Sequence, residues 1–312
     1  MHASSSPGAS LAIAAVVPAS DGPATLERCL AALGDGRRRP DETVVGREPA
    51  GRGPAAARNA GAARCRGDLL VFVDADVEVH ADALARIERR FAAEPDLAAL
   101  FGSYDDDPAA PGLVSRFRNL LHHHVHTASA GEAETFWAGL GAVRREAFEA
   151  VGGFDEDRFP RPSVEDIDLG LRLRAAGRAV RLDPAVRGRH LKAWSLGSMV
   201  RTDFAGRGVP WVGLLLRHRR GGGALNLGWR HRASALAATA GAAATLARRP
   251  RLGLAALLAL LLLNRELYAL LARRGGARLL LAGVALHVVH QLTAIAAVPV
   301  GLAVHLRDRG AL

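Results

Sequence analysis

Short apolar runs alternate with segments of helical spacing through the first 182 residues, and this alternation restricts the possible folds more than any other feature. Leu11–Val17 is uninterrupted apolar sequence that ends at Pro18, and Leu69–Val73 is a second such run. Continuous apolar strands are typical of a sheet that is covered on both faces. The sequence therefore predicts an α/β fold with an open, mostly parallel sheet flanked by helices.

The pattern predicts strands over 11–17, 43–45, 69–73, 97–102, 135–143 and 179–182, and helices over 25–33, 54–64, 82–92, 112–125 and 144–151. A last helix is predicted with its N-cap within 163–166 and its end at 176–177. In open α/β sheets, ligands bind beyond the carboxyl ends of the strands. Asp74 and Asp76 directly follow a predicted strand, so they are the first candidate site residues.

The basic charge of the chain is concentrated in its last third. The net charge is +10, but residues 201–312 hold 16 Arg and 3 acids, whereas residues 1–200 hold 25 basic and 28 acidic residues. Arginines beside long apolar runs fit anionic lipid headgroups better than a nucleic-acid backbone. We therefore expect membrane lipids, and no nucleic acid, as partners.

The character of the sequence changes after residue 195. Residues 196–232 mix Trp and Leu with Arg, as in an interfacial amphipathic segment. Apolar runs at 233–247, 252–263 and 279–304 then predict two or three membrane-anchoring helices within 233–312, although a buried soluble helix is an equal alternative for the first run. Residues 1–10 are expected to be disordered, which leaves 11–195 as the catalytic domain.

Asp74-Ala75-Asp76 can hold a hard divalent cation, because carboxylate oxygens are the ligands such ions prefer. Acids at strand ends also serve as ordinary turn formers. Glu165-Asp166 lies in the first turn of a predicted helix, where the helix dipole keeps a carboxylate ionised and thus able to act as a general base. The alternative is the ordinary acidity of a helix start.

His190 and Lys192 form a third candidate group. A neutral imidazole is a possible further ligand for a metal on Asp76, and Lys192 could screen a diphosphate; the alternative is a surface loop. The histidines of 122–126 cannot all reach one tetrahedral ion from a regular helix, so we interpret them as an acceptor-side or interfacial polar patch. Phe136-Trp137 fits either a sugar-stacking platform or core packing.

In their order along the chain, these motifs resemble family 2 glycosyltransferases of the GT-A fold. The matching stretches lie within residues 11–195 and are Ala15-Val16-Val17-Pro18-Ala19, Ala57-Arg58-Asn59-Ala60-Gly61, Val71-Phe72-Val73-Asp74-Ala75-Asp76, Gly139-Leu140-Gly141-Ala142-Val143-Arg144-Arg145, Gly152-Gly153-Phe154-Asp155-Glu156 and Glu165-Asp166-Ile167-Asp168-Leu169. The resemblance implies a sugar transferase that uses a nucleotide-diphospho-sugar, with a UDP-sugar favoured.

The resemblance also implies roles for individual residues. Asp74 would contact the donor ribose, Asp76 and His190 would bind Mn²⁺ or Mg²⁺, and Asp166 would be the catalytic base with Glu165 close to the acceptor. Pro18, Arg58 and Lys192 would lie on the donor side. Relatives commonly carry acids after the first and second strands at positions where this chain differs, and Asp21 or Glu48 is the candidate to substitute for them.

The resulting hypothesis is a membrane-anchored, metal-dependent inverting glycosyltransferase. Its catalytic domain would face the cytoplasm, held at the cell membrane by a hairpin or by several helices, and its acceptor would be a lipid or lipid-linked molecule. One alternative is a pseudoenzyme that binds a nucleotide sugar or lipid without turnover. A nucleotidyltransferase is disfavoured, because Pro18-Ala19-Ser20-Asp21-Gly22 offers no Gly-rich loop with a basic residue.

Overall fold

A computed structural model describes residues 11–20, 22–47, 51–218 and 225–310. By internal contacts the chain divides into two compact units. The first unit consists of the residues up to Ser103 together with Ala130–Arg189, and the second consists of Tyr104–Ser129 together with His190–Leu312. The disorder expected for 1–10 concerns residues outside the described ranges.

The strands are, in chain order, β1 Ile13–Pro18, β2 Glu42–Gly46, β3 Leu69–Val73, β4 Val77–Val79, β5 Leu97–Tyr104, β6 Gly131–Glu132, β7 Leu140–Arg144 and β8 Ala179–His190. They form one sheet in the order β2-β1-β3-β7-β5-β8-β4, with β6 on β8. β1 runs parallel to β2 and β3, whereas β7 runs antiparallel to β3 and β5. The predicted α/β fold with an open, mostly parallel sheet is confirmed.

The described α-helices are α1 Leu26–Gly34, α2 Gly53–Arg64, α3 Ala83–Ala93, α4 Leu113–Ala128, α5 Arg145–Ala150, α6 Glu165–Ala175, α7 Leu196–Arg201, α8 Val209–His218, α9 Trp229–Leu246, α10 Pro250–Leu263 and α11 Arg265–Gly310. A π-helix covers Thr202–Gly208, and a 3-10 turn covers Leu225–Leu227. In the first unit, α2 packs on β1 and β2, and α5 packs on β7. Gly61 permits the α2 contact, because a Cβ there would lie 2.5 Å from Cγ1 of Val16.

Two strand boundaries differ from the sequence prediction. The strand predicted over 135–143 begins only at Leu140, because the chain turns at Ala138–Gly139 and a Cβ on Gly139 would lie 2.4 Å from the Trp137 ring. An extended strand would not bring these two residues so close. The strand predicted over 179–182 continues through Pro184 to His190. This extension makes His190 the last residue of β8.

The core of the first unit lies under the end of β3. Phe72, Phe148 and Phe154 form an aromatic cluster with ring centroids 5.1 to 5.6 Å apart. All three side chains are buried. Burial of rings of this size contributes a large apolar stabilisation, and it fixes the segment around Phe154 against the sheet.

Helices make up most of the second unit. α4 and α11 share an apolar core that includes Phe117, Leu120, Leu267 and Leu271. Among the described residues, Arg265–Asp308 is the one helix long and apolar enough to cross a membrane, and only 22% of its most apolar window is buried. A core helix of that composition would be mostly buried. The backbone of α11 is non-helical at Gly275–Gly276, which separates a short first part from the longer second part.

Candidate active site

Asp74 and Asp76 follow β3 in a tight turn. The Asp74 amide donates to the carbonyl of Gly139 at 3.0 Å, and the Val77 amide donates back to the carbonyl of Asp74 at 2.9 Å. Both carboxylates are half-buried. The turn therefore places two acidic side chains at the carboxyl end of a central strand, where the sequence predicts a ligand site.

Arg58 joins two carboxylates from distant parts of the sequence. Its Nη2 lies 2.7 Å from Asp74 Oδ1, and its Nη1 lies 2.9 Å from Glu165 Oε1. The guanidinium is buried and lies over the Phe154 ring, 5.4 Å from its centroid. Burial lowers the pKa of Arg58, but the charges of Asp74, Glu165 and Asp166 outweigh this effect and raise it. Arg58 therefore remains charged.

The pKa of the Asp74 carboxyl is raised. Burial is the main cause; Arg58 opposes the shift, and the charge of Asp76 adds to it. A second carboxylate so close makes ionisation of Asp74 more costly. The pKa of Asp74 thus reflects burial together with the opposing charges of Arg58 and Asp76.

Glu165 and Asp166 open α6, and their side chains have different environments. Glu165 is 4% exposed and accepts from the Ser163 amide at 2.8 Å besides its bond to Arg58. Asp166 is half-buried; its Oδ2 accepts from the Ala138 amide at 3.2 Å and its Oδ1 from the Ile167 amide at 2.8 Å. Because Asp74 bonds to the neighbouring Gly139, residues 138–139 connect the end of β3 with Asp166.

Asn59 has no role in the sequence analysis, although it stands beside Arg58 in a matching stretch. Its Nδ2 donates to the Phe154 carbonyl and to Glu156 Oε2, both at 2.8 Å. Its Oδ1 accepts from the Phe154 amide at 2.9 Å. The local signal for Asn59 was only its position next to Arg58, since its partners lie almost 100 residues further along the chain.

The carboxylates suit a cation that is shared with a phosphate ligand better than one enclosed by protein. The described residues contain no group of three His, Cys, Asp or Glu side chains that could hold a metal ion. Mg²⁺ is commonly held by one or two carboxylates while substrate phosphates and water complete its shell. Asp76 offers a carboxylate of this kind, and Asp74 offers a second that is already bonded to Arg58.

His190, in the second unit, ends a column of four rings. It is buried and stacks on Tyr104 with centroids 4.2 Å apart. Tyr104 lies 4.3 Å from His122, which lies 3.8 Å from His126. Burial lowers the pKa of His122 well below its ordinary value, so this imidazole is neutral at pH 7. Two histidines of the predicted polar patch, His122 and His126, are thus packed against aromatic or imidazole rings.

Lys192 is exposed, and its Nζ lies 4.7 Å from the ring centroid of Trp194. The guanidinium of Arg118 also lies over Trp194, at 5.2 Å, and pairs with Asp203 at 2.9 Å. Cation–π contacts of this length contribute roughly 0.5–1 kcal/mol at exposed sites. The Trp194 ring therefore restrains the one lysine of the chain.

The remaining predicted residues lie at the ends of β1 and β2. Pro18 is the buried last residue of β1 and pairs with Gly46 of β2. Asp21 and Glu48, which were expected to replace the missing acids, lie outside the described residues. Phe136 is fully buried and packs edge-on against Phe101 at 6.0 Å, which supports its assignment to the core.

Comparison with known proteins relates part of the chain to a known family. Residues 16–152 match the family described as Glycosyl transferase family 2. Two curated relatives, from Mycobacterium tuberculosis strains CDC 1551 / Oshkosh and ATCC 25618 / H37Rv, are named Pre-mycofactocin glycosyltransferase, and each is 32% identical over 144 residues. The match covers 44% of this chain and 29% of each relative, so the chain spans less than a third of the relatives' length.

Among solved structures, the mannosyltransferase PcManGT from Pyrobaculum calidifontis, in complex with GDP-Man and Mn²⁺, superposes with a TM-score of 0.54 at 19% identity. That match covers 97% of this chain and 89% of the other. At this identity the likeness concerns the fold. The two comparisons agree: residues 16–152 match the family 2 glycosyltransferase model, and the fold is similar to that of a solved glycosyltransferase.

Proposed function

We propose that this protein transfers a sugar from a nucleotide-diphospho-sugar to the hydroxyl group of a lipid or lipid-linked acceptor, with inversion at the anomeric carbon. The family match supports glycosyl transfer. The observation that carries the more detailed proposal is the carboxylate cluster of the first unit, in which Asp166 stays half-buried while Glu165 is bonded to Arg58. The cluster thus contains Asp166, which accepts hydrogen bonds from the Ala138 and Ile167 amides, beside Glu165, which is paired with a guanidinium.

In the proposed reaction, the oxygen of the acceptor hydroxyl attacks the anomeric carbon, and Asp166 takes the proton of that hydroxyl. A bond from this oxygen to the anomeric carbon forms, and the bond from that carbon to the diphosphate breaks. The nucleoside diphosphate leaves with the bonding electron pair. The helix dipole at the start of α6 favours the ionised form of Asp166. Glu165 holds the start of this helix, since both of its oxygens have partners.

We assign Asp76 to a divalent cation, Mn²⁺ or Mg²⁺, and the family resemblance is the ground on which His190 is added to this assignment. Such a cation, when bound, supplies positive charge to a diphosphate. Asp74 contributes a carboxylate to the donor side while Arg58 holds it in place. We assign Pro18 to donor binding, and we propose that the positive charge of Lys192 screens a diphosphate.

A membrane location is proposed because the second unit exposes many large apolar side chains. Leu246, Leu252 and Leu262 are 86%, 63% and 72% exposed. Three arginines near the start of α10 are also exposed: Arg248 and Arg249 precede the helix, and Arg251 lies in its first turn. Apolar helices flanked by arginines suit a membrane surface with anionic headgroups. In this arrangement a lipid acceptor would be met at headgroup depth, with the catalytic domain on the cytoplasmic side.

The test is an assay of the purified full chain in detergent with labelled UDP-, GDP- and dTDP-sugars, with and without Mn²⁺ or Mg²⁺. GDP-mannose belongs in the panel because it is the donor in the PcManGT complex. The acceptors are a total lipid extract and, because of the relatives' name, pre-mycofactocin. Labelled product in the organic phase is expected with lipid only. Transfer to a water-soluble acceptor alone contradicts the lipid assignment, and donor binding without any turnover indicates a pseudoenzyme.

A further inference from the structure

The segment Phe154–Glu165 connects α5 to α6 and contains no helix or strand before Glu165. A segment of this length without backbone ladders needs other partners to hold one conformation. Its last residue is adjacent to Asp166, the proposed base. The contacts that fix Phe154–Glu165 therefore also bear on the placement of Asp166.

Asn59 of α2 holds the beginning of this segment. Its amide exchanges two hydrogen bonds with the backbone of Phe154, at 2.8 and 2.9 Å. The same Nδ2 donates to the Glu156 carboxylate at 2.8 Å. An amide that both donates to and accepts from one backbone residue restrains orientation as well as distance.

Gly53, the first residue of α2, meets the middle of the segment. A Cβ on Gly53 would lie 2.7 Å from the carbonyl oxygen of Pro160 and 3.2 Å from Cα of Arg161. Gly53 also has a φ of +76°, a conformation that side chains rarely adopt. Only glycine at this position allows the segment to lie against α2 without displacement.

Arg58 holds the end of the segment through its 2.9 Å bond to Glu165. Three residues of α2 thus contact the segment at three points. Asn59 contacts its beginning, Gly53 its middle and Arg58 its end. α2 itself is fixed by its packing on β1 and β2. It is therefore a rigid support for a segment that has no regular structure of its own.

We propose that α2 is the template that positions Asp166, and that Asn59 and Gly53 are positioning residues for proton transfer. This inference rests on the proposed role of Asp166 as the base. Neither residue is expected to contribute to donor affinity, in contrast to Arg58, which also touches Asp74. A misplacement of about 1 Å at a reacting group can reduce turnover by roughly a hundredfold.

The experiment measures kcat at saturating donor and the Kd of the nucleoside diphosphate with Mn²⁺, using the full chain in detergent. Asn59→Ala and Gly53→Ala are each expected to lower kcat by roughly ten- to a hundredfold while Kd stays within about twofold. Gly177→Ala is the matched control: Gly177 has a similar φ of +74°, but no atom lies within 4 Å of the added Cβ. Its kcat per folded molecule should equal that of the parent.

A double-mutant cycle separates positioning from general loosening of the fold. If Asn59 acts through Asp166, Asn59→Ala should have little further effect in an Asp166→Asn background. An equal loss in both backgrounds, or parental kcat in Asn59→Ala and Gly53→Ala, overturns the inference and leaves the base assignment intact. Parental kcat in Asp166→Asn alone instead refutes the proposed base. Melting temperatures of all variants identify any that fail to fold.

Discussion

Arg58 and Glu165 are 107 residues apart in the sequence, yet their guanidinium and carboxylate groups lie 2.9 Å apart and are both buried. This ion pair links α2 to the first residue of α6. The family resemblance puts Arg58 on the nucleotide side of the site. The geometry supports a structural role for Arg58, because both of its terminal nitrogens are bonded to carboxylates of the protein.

Arg58→Met should lower the free energy of unfolding by about 3–5 kcal/mol, because it leaves the buried carboxylate of Glu165 and the half-buried carboxylate of Asp74 without their cation. The measurement is urea denaturation followed by circular dichroism. Arg52→Gln is the matched control: Arg52 pairs with Asp157 at 3.0 Å but is half exposed, so its loss should cost at most about 1 kcal/mol. Equal effects of the two substitutions would contradict a structural role for the buried pair.

Asp76→Ala should abolish the metal dependence of donor binding, because it removes the carboxylate that we assign to the cation. Isothermal titration of nucleoside diphosphate with and without Mn²⁺ measures this effect. Asp96→Ala, which removes an exposed acid between α3 and β5, should bind as the parent does. Metal-stimulated binding that survives in Asp76→Ala would refute the assignment.

Lys192→Ala should raise the donor KM by about tenfold, the change that corresponds to roughly 1.4 kcal/mol of lost interaction with a diphosphate. Lys192→Arg keeps the charge and should stay near the parental KM. Steady-state kinetics at varied donor concentration decide the outcome. If Lys192→Ala has the KM of the parent, the lysine only packs on Trp194.

Lowering the pH should remove the contribution that the ionised Asp41 carboxylate makes to the stability of the first unit. Hydrogen bonds from Arg38, at 2.7 Å, and from the Ile13 amide lower the pKa of Asp41. A carboxyl whose pKa is lower in the folded state stabilises the fold above its unfolded pKa of about 3.9. That stabilisation disappears as the pH falls through the folded pKa.

The melting temperature of the parent should therefore exceed that of Asp41→Asn at pH 6. The gap should begin to narrow below about pH 4 and should close as the pH falls through the lower folded pKa. Thermal scans from pH 6 downward to about pH 2 measure the difference. A gap that is constant over this range would show that the charge of Asp41 is not responsible. Asp35→Asn, at an exposed position beside α1, serves as the control.

Leu254, Leu258 and Leu262 lie at four-residue spacing on α10 and are 58%, 50% and 72% exposed, so they share one face of the helix. Replacing all three with Ser should weaken partition into lipid vesicles by more than tenfold, since each buried leucine contributes about 1.5–3 kcal/mol. Flotation with vesicles of phosphatidylcholine and phosphatidylglycerol measures the partition. Unchanged flotation of the triple variant would exclude this face as a membrane contact.

The sequence by itself determined the fold class and the local position of the acids. The apolar runs of β1 and β3 and the first turn of α6 are local patterns, so periodicity and end signals were sufficient to identify them. The strand prediction over 135–143 was wrong at its start, because the apolar residues before Leu140 pack in a turn whose shape depends on Trp137 and Gly139. Periodicity does not distinguish these two arrangements.

Only the tertiary structure decided what each charged residue touches. The sequence placed Asp74, Glu165 and Arg58 in separate motifs, and nothing in their spacing indicated that Arg58 bonds to both carboxylates. The same is true of Asn59 and Phe154, which meet because α2 and the aromatic cluster pack on the same sheet. Ion pairs and hydrogen bonds depend on distances of a few ångströms, and packing between remote segments sets those distances.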